Sequence, residues 1–130
     1  MTKISKRQLE RYPIYLRYLF ILRDSGVKNI SAPAIARALQ LSEEQVRKDL
    51  QVVTSKEGKP KSGRDVLELI QDIGNFLGYK DSTKAVVIGC GHLGQAFLNY
   101  KGFEKYGLDI IAGFDVDKNL IGTQVNHKHI

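Results

Sequence analysis

The sequence holds a single cysteine, Cys90, so no disulfide can close within the chain. No secretory signal opens it, and no apolar run reaches the ~18 residues of a membrane span, because Arg17 and Arg23 interrupt the most apolar N-terminal stretch. These absences lead us to expect a cytoplasmic protein. A catalytic set is missing too. His92 lies inside a glycine loop, His127 and His129 fall in a terminal tail, and none has a partner Ser, Cys or carboxylate at recognisable spacing. No catalytic residue and no metal ligand is therefore assigned, and no internal repeat is visible.

The 130 residues, 42% hydrophobic and 26% charged, have globular composition and suffice for one ordinary domain or two small ones. The charge is uneven. Residues 1–64 carry fourteen Lys/Arg against six Asp/Glu, whereas residues 65–130 carry six against eight. A basic first half beside a slightly acidic second points to a nucleic-acid module joined to a different one, although a solvated basic face has the same composition.

Ser5-Lys6-Arg7-Gln8 has capping-box spacing and predicts a short helix; Pro13 permits a fresh first turn, and Ile14 to Ser25 read as a longer helix stopped at Gly26. Leu16, Leu19, Phe20 and the stem of Arg23 form its expected buried stripe. Ser31 can cap a second helix, with Pro33 in its first turn and Ile35, Ala36 and Leu39 inward. After a tight turn at Gln40-Leu41, Ser42-Glu43-Glu44-Gln45 repeats the start signal. At 100° per residue, Val46, Leu50 and Val53 fall on one side of the helix that follows; Glu44, Lys48 and Gln51 oppose them, with Gln45 and Arg47 on the flanks.

Two short helices joined by a tight turn, the second showing Gln, Arg and Lys outward, follow helix-turn-helix logic. Arg and Lys reach phosphates or guanine edges, and Gln can pair with adenine. An amphipathic surface helix would look similar. The basic, turn-rich stretch Thr54 to Arg64 reads as a wing whose cations lie along phosphates, although a flexible linker shares its composition. Asp65 then caps a helix with Val66, Leu69, Ile70, Ile73 and Leu77 on one face, ended by Gly78.

Lys84-Ala85-Val86-Val87-Ile88 reads as a buried strand running into Gly89-Cys90-Gly91-His92-Leu93-Gly94, the spacing G-x-G-x-x-G. Gly89 allows the tight turn, Gly91 lets backbone approach a pyrophosphate, and Gly94 lets helix and strand pack closely, with the phosphates on the helix N-terminus. A second strand, Ile110 to Asp115, ends in a carboxylate 21 residues past Gly94, where a ribose-hydroxyl acceptor is expected. These signals together favour a nucleotide-binding βαβ start over a glycine-rich turn that merely joins strand to helix. Cys90 could in principle be a redox thiol at a helix N-terminus, but it reads rather as a small loop residue.

The combination resembles the Rex family of bacterial redox-sensing transcriptional repressors. The matching residues are Ile4-Ser5-Lys6, Arg11-Tyr12-Pro13, Gln45-Val46-Arg47-Lys48-Asp49-Leu50, Gly89 to Gly94, Asn99-Tyr100-Lys101-Gly102-Phe103 and Phe114-Asp115-Val116-Asp117. Two departures stand out: Gln51-Val52-Val53-Thr54 and Lys56 to Arg64 replace the family's Ser-Tyr-Phe-Gly and glycine-rich wing, and the chain stops at Ile130, before the remaining strands and C-terminal exchanged helix.

The resemblance implies an α/β chain with an α-rich winged helix-turn-helix domain over residues 1–78, a linker over 79–83, and over 84–130 the N-terminal part, a βαβ unit, of a Rossmann-type NAD-binding domain. It implies a repressor that binds operator DNA as a homodimer in its full-length form and releases it when NADH binds. Lys6, Arg11, Ser42, Gln45, Arg47, Lys48, Gln51, Lys59, Lys61 and Arg64 are the expected DNA contacts. Gly89, Cys90, Gly91, His92, Leu93, Gly94, Asp115 and Val116 are the expected NAD(H) contacts. Two other functions remain open on the sequence: a regulator sensing another adenine nucleotide such as coenzyme A, and a nucleotide-binding enzyme domain with a basic helical appendage. The isolated 130 residues are expected to bind DNA more weakly than a longer parent and to lack nucleotide-driven release.

Overall fold

A computed structural model describes residues 3–54 and 63–130. It divides into two compact units, Met1–Leu77 and Gly78–Ile130. The first is helical, the second an α/β unit built on two parallel strands.

In the first unit the order is α1 (Lys6–Asp24), β1 (Asn29–Ile30), α2 (Ala32–Leu39), α3 (Glu43–Val53), β2 (Arg64–Asp65) and α4 (Val66–Phe76). Each helix start carries the cap its sequence signals. The Ser5, Ser31, Ser42 and Asp65 side chains accept from the backbone N–H three residues on, at 3.0–3.2 Å. Between α2 and α3 the chain turns at Gln40, in left-handed conformation at φ 57°, and the Leu41 N–H returns to the Ala36 carbonyl at 2.9 Å. Helix α1 packs on α4, α2 on α3 and α3 on α4. Tyr12, Tyr15, Leu16 and Leu19 of α1, Ile35 and Ala36 of α2, Val46 and Leu50 of α3, and Val66, Leu69 and Ile73 of α4 are the buried apolar residues.

Helix α1 does not restart at Pro13 but runs through it. A proline inside a helix forfeits a backbone hydrogen bond. Here Tyr12 and Tyr15, on either side of it, are buried and hydrogen-bonded to the same residue of α3, which holds both halves in line. The buried stripe is correspondingly more aromatic than Leu16, Leu19 and Phe20 alone imply. Phe20 is half-buried, and Arg23 is exposed, its guanidinium 4.8 Å above the Phe20 ring rather than its stem in the core.

Strands β1 and β2 form a two-residue antiparallel ribbon, Asn29 opposite Asp65 and Ile30 opposite Arg64. Gly63 makes this approach possible: φ is +69°, and a Cβ there would stand 2.2 Å from the Ile30 carbonyl oxygen. The stretch read as a wing falls mostly outside the described residues, and Lys59 and Lys61 with it.

The second unit runs β3 (Thr83–Ile88), α5 (His92–Asn99), a short 3₁₀ turn, β4 (Leu108–Phe114), β5 (Gln124–Val125) and β6 (Lys128–His129). Strands β3 and β4 pair in parallel from Thr83 opposite Leu108 to Ile88 opposite Phe114, with an irregularity between Ala85 and Val86. Residues 79–83, read as a linker, are part of this unit. Tyr79 meets Tyr106 edge-to-face at 5.2 Å, and the Asp81 carbonyl oxygen would lie 2.4 Å from a Cβ on Gly107, so the segment presses on the start of β4.

Nor are His127 and His129 in a loose tail. Residues 124–129 form a β-hairpin turned by Asn126 and His127, both at positive φ, and the Ile130 N–H donates to the Thr123 carbonyl at 3.0 Å. Val125 and Ile130 pack with Leu120 onto the core of Cys90, Leu98 and Ile110, closing one face of the sheet. The other apolar side stays open, with Val86, Ile111 and Phe114 about half exposed and Ile88 85% exposed. No helix of the described residues is long and apolar enough to cross a membrane.

Candidate functional site

The first site lies on α3. Its stripe Val46 and Leu50 is buried, and this turns Arg47, Lys48 and Gln51 to solvent. A cleft of about 760 Å³ runs between the start of α1 and α3, and Arg11, Ser42, Gln45, Lys48 and Gln51, all expected DNA contacts, line it. Ser42 accepts from the Gln45 N–H at 3.1 Å, leaving its O–H as a donor. Lys6 is exposed in the first turn of α1. Arg47 pairs with Glu43 one turn back, and Lys48 with Glu44 at 3.0 Å, so both cations are held along the helix surface.

Two of the expected DNA contacts have a different setting. Arg11 is not a free surface cation: its Nε and Nη2 donate to the Asp49 carboxylate at 2.6 and 2.9 Å, and the carboxylate raises its pKa further. Arg64 sits in β2 opposite Ile30, within the ribbon rather than in the wing. Asp49 itself was not among the candidates. Only 2% exposed, it also accepts from the Tyr15 hydroxyl, while its backbone carbonyl accepts from the Tyr12 hydroxyl at 2.8 Å. Its position, three after Val46 and one before Leu50, is the inward side of α3, which is the signal that could have found it.

The second site is the turn from β3 into α5. Gly89 takes φ +92°, and Gly91 is the N-cap of α5 without a side-chain cap, so no side chain occupies the first N–H groups of this helix. Gly94 is buried against the turn: a Cβ there would lie 2.0 Å from the Gly89 carbonyl oxygen. His92 and Leu93 are exposed at the helix start. This arrangement suits an anion, held by backbone donors and the helix dipole.

Asp115, just past β4, is joined to the loop. Its Oδ2 accepts from the Cys90 N–H at 2.7 Å and its Oδ1 from the Asp117 N–H at 2.8 Å. These contacts, the Asp117 N–H first and the Cys90 N–H next, hold the carboxyl below its ordinary value of 3.8. Because the folded pKa is the lower one, the latch contributes fully above the unfolded value and is lost as pH falls through the folded value. Val116 beside it is 94% exposed.

The side chain of Cys90 turns the other way. It is fully buried, with Sγ 3.5 Å from the Phe114 carbonyl, and a Cβ on Gly113 would stand 2.5 Å from it. Only its backbone N–H and carbonyl take part in the loop, the latter accepting from Gln95 Nε2 at 2.9 Å. A redox-thiol reading does not fit a sealed side chain. A water-borne thiol reagent should leave Cys90 unmodified in the folded chain while labelling it within minutes in denaturant; equal rates would refute the burial. Among the described residues no group of three or more His, Cys, Asp or Glu could hold a metal ion.

Residues 3–51 match the family model described as "Putative DNA-binding protein N-terminus", and residues 80–130 the one described as "CoA binding domain". The chain is 44% identical over 91% of its length to the redox-sensing transcriptional repressor Rex of Treponema denticola, covering 56% of that protein. To the protein of the same name in Porphyromonas gingivalis it is 36% identical over 96% of its length, covering 57%. Among solved structures it is similar to RSP, a Rex-family repressor. Against RSP with NAD⁺ and operator DNA the TM-score is 0.89 at 32% identity, over 99% of this chain and 59% of that one. Against RSP with NADH it is 0.86 at 31% identity, over the same shares. The chain thus spans less than two thirds of the length of these relatives.

Proposed function

Because the chain belongs to the Rex family, we propose that it is the operator-binding and nucleotide-binding part of a repressor that responds to the NADH/NAD⁺ ratio. Helix α3 enters the major groove, with Gln45, Arg47, Lys48 and Gln51 toward bases and phosphates and Lys6 and Ser42 toward the backbone. The turn Gly89 to Gly94 and the first N–H groups of α5 hold the pyrophosphate of NAD(H), Asp115 accepts from the adenosine ribose, and Val116 offers an apolar surface to the base. The protein works as a homodimer in its full-length form, in the cytoplasm, and performs no catalysis; that its relatives are named as repressors supports this.

One observation carries the reading: the Asp115 carboxylate is fastened to the glycine loop, beside an α5 N-terminus that no side chain caps. N–H donors for a phosphate and a carboxylate acceptor for ribose hydroxyls therefore stand side by side. Coenzyme A is the second reading, favoured by the description of the family model over residues 80–130. It fits less well, because its ribose carries a phosphate that a carboxylate at Asp115 would repel. Titrating NADH, NAD⁺, NADPH and coenzyme A into the full-length protein on labelled operator separates these readings. NADH alone should release the DNA at micromolar concentration, and release by coenzyme A alone would replace the first reading with the second.

Asp115→Ala should weaken NADH binding by about tenfold or more, the cost of a charge-assisted hydrogen bond lost at a preformed site. It should also narrow the preference for NADH over NADPH, since the repulsion of a 2′-phosphate goes with the carboxylate. Equal affinity of the unmodified protein for the two nucleotides would contradict the assignment.

A further inference from the structure

We propose that the Arg11–Asp49 ion pair sets the roll of α3 against α1, and thereby acts on operator specificity rather than on stability or general DNA affinity. The inference rests on the reading of α3 as the DNA-reading helix.

The apolar contacts of α3, through Val46 and Leu50, are non-directional. Directional contacts converge on one residue. Arg11 binds both Asp49 oxygens, Tyr15 donates to the same carboxylate, and Tyr12 donates to the Asp49 carbonyl while accepting from Gln8 Nε2 at 3.1 Å. All of these partners lie on α1. Burial raises the pKa of both tyrosines, so their hydroxyls keep the protons they donate. Asp49 directly follows Lys48 and is one turn from Gln45, and all three line the cleft whose floor includes Arg11. A helix with side chains is about 10–12 Å across, so a roll of about 20° carries an outer tip by about 2 Å. That exceeds the tolerance of a hydrogen bond to a base edge.

Stability is a poor explanation for the pair. The side chains of Arg11 and Asp49 are 18% and 3% exposed, and at such burial the cost of desolvation offsets much of the attraction. Well-packed apolar replacements are often neutral in such places, whereas a bidentate guanidinium–carboxylate pair fixes an orientation.

The test uses the full chain, a duplex enriched by the unmodified chain from a random-sequence pool, and a scrambled duplex of equal composition. Affinities for both are measured against salt for the unmodified chain, Asp49→Asn, and the double variant Arg11→Met/Asp49→Leu, which restores an apolar contact if Asp49→Asn does not fold. In both variants the ratio of specific to scrambled affinity should fall about tenfold or more, the size of a lost base contact. Scrambled affinity should stay within about twofold, and the salt slope should not move. A folded variant with an unchanged ratio overturns the proposal. So does a parallel loss on both duplexes with a slope lower by about one, which would make Arg11 a phosphate contact. Failure of the unmodified chain to enrich any duplex removes the DNA-reading helix itself, and the inference with it.

Discussion

Gly94→Ala should destabilise the second unit by about 3 kcal/mol, the upper end of overpacking costs, and abolish measurable nucleotide binding. A Cβ at this position would stand 2.0 Å from the Gly89 carbonyl oxygen, 3.0 Å from the Gly89 carbonyl carbon and 3.3 Å from Val87 Cγ1. The two nearest atoms are backbone, so no side chain can swing aside. Helix α5 must lift from the turn, and the N–H groups it presents move with it. In a small unit such a loss is a large share of the total stability. Gly91→Ala is the contrast. Its Cβ would meet nothing within 4 Å and its φ of −71° suits any residue, so the fold should be untouched while the methyl stands where backbone must approach a phosphate. Thermal unfolding and nucleotide titration of both variants decide the matter: an unchanged midpoint in Gly94→Ala would refute the close packing, and unchanged nucleotide affinity in Gly91→Ala would refute the approach.

The glycine spacing was legible because Gly89 and Gly94 answer local demands, a positive φ and a close backbone approach. The caps were legible for the same reason, since Ser5, Ser31, Ser42 and Asp65 each satisfy an N–H three residues away. Period alone placed Val46 and Leu50 inward. What escaped depends on partners distant in sequence. Asp49 reads as one more polar letter among Glu43, Glu44, Arg47 and Lys48, and only Arg11, Tyr12 and Tyr15, more than thirty residues earlier, give it a reason to be buried. The same tyrosines explain a helix that continues through Pro13. The hairpin over residues 124–129 escaped because its strands have two residues each and its turn uses Asn126 and His127 at positive φ where glycine would be the signal. Cys90, between two glycines, looks exposed in sequence. Its inward side chain follows from Gly113, whose missing side chain leaves room for the sulfur.

Replacing Arg47 and Lys48 together by alanine should remove specific operator binding, each position costing about 1–3 kcal/mol, while leaving the fold intact. Both side chains are more than half exposed, at 55% and 72%, on a helix whose opposite side is sealed in the core, so their loss opens no cavity. Their present partners are weak competitors. The pairs with Glu43 and Glu44 are solvent-screened surface contacts one helical turn apart, which a phosphate or a guanine edge readily displaces. The carboxylates have a further effect. Standing in the first turn of α3, Glu43 and Glu44 offset the helix dipole that would otherwise draw any phosphate to this end, so the attraction that α3 itself exerts on DNA depends on the two cations. The single variants separate the roles. Arg47→Ala should relax the sequence preference with little change in salt dependence if it reads a base, whereas Lys48→Ala should lower the salt slope by about 0.9 if it neutralises one phosphate. Fluorescence anisotropy on specific and scrambled duplexes at several salt concentrations measures both quantities. A double variant that binds the specific duplex with unchanged affinity and slope would take α3 out of the DNA interface.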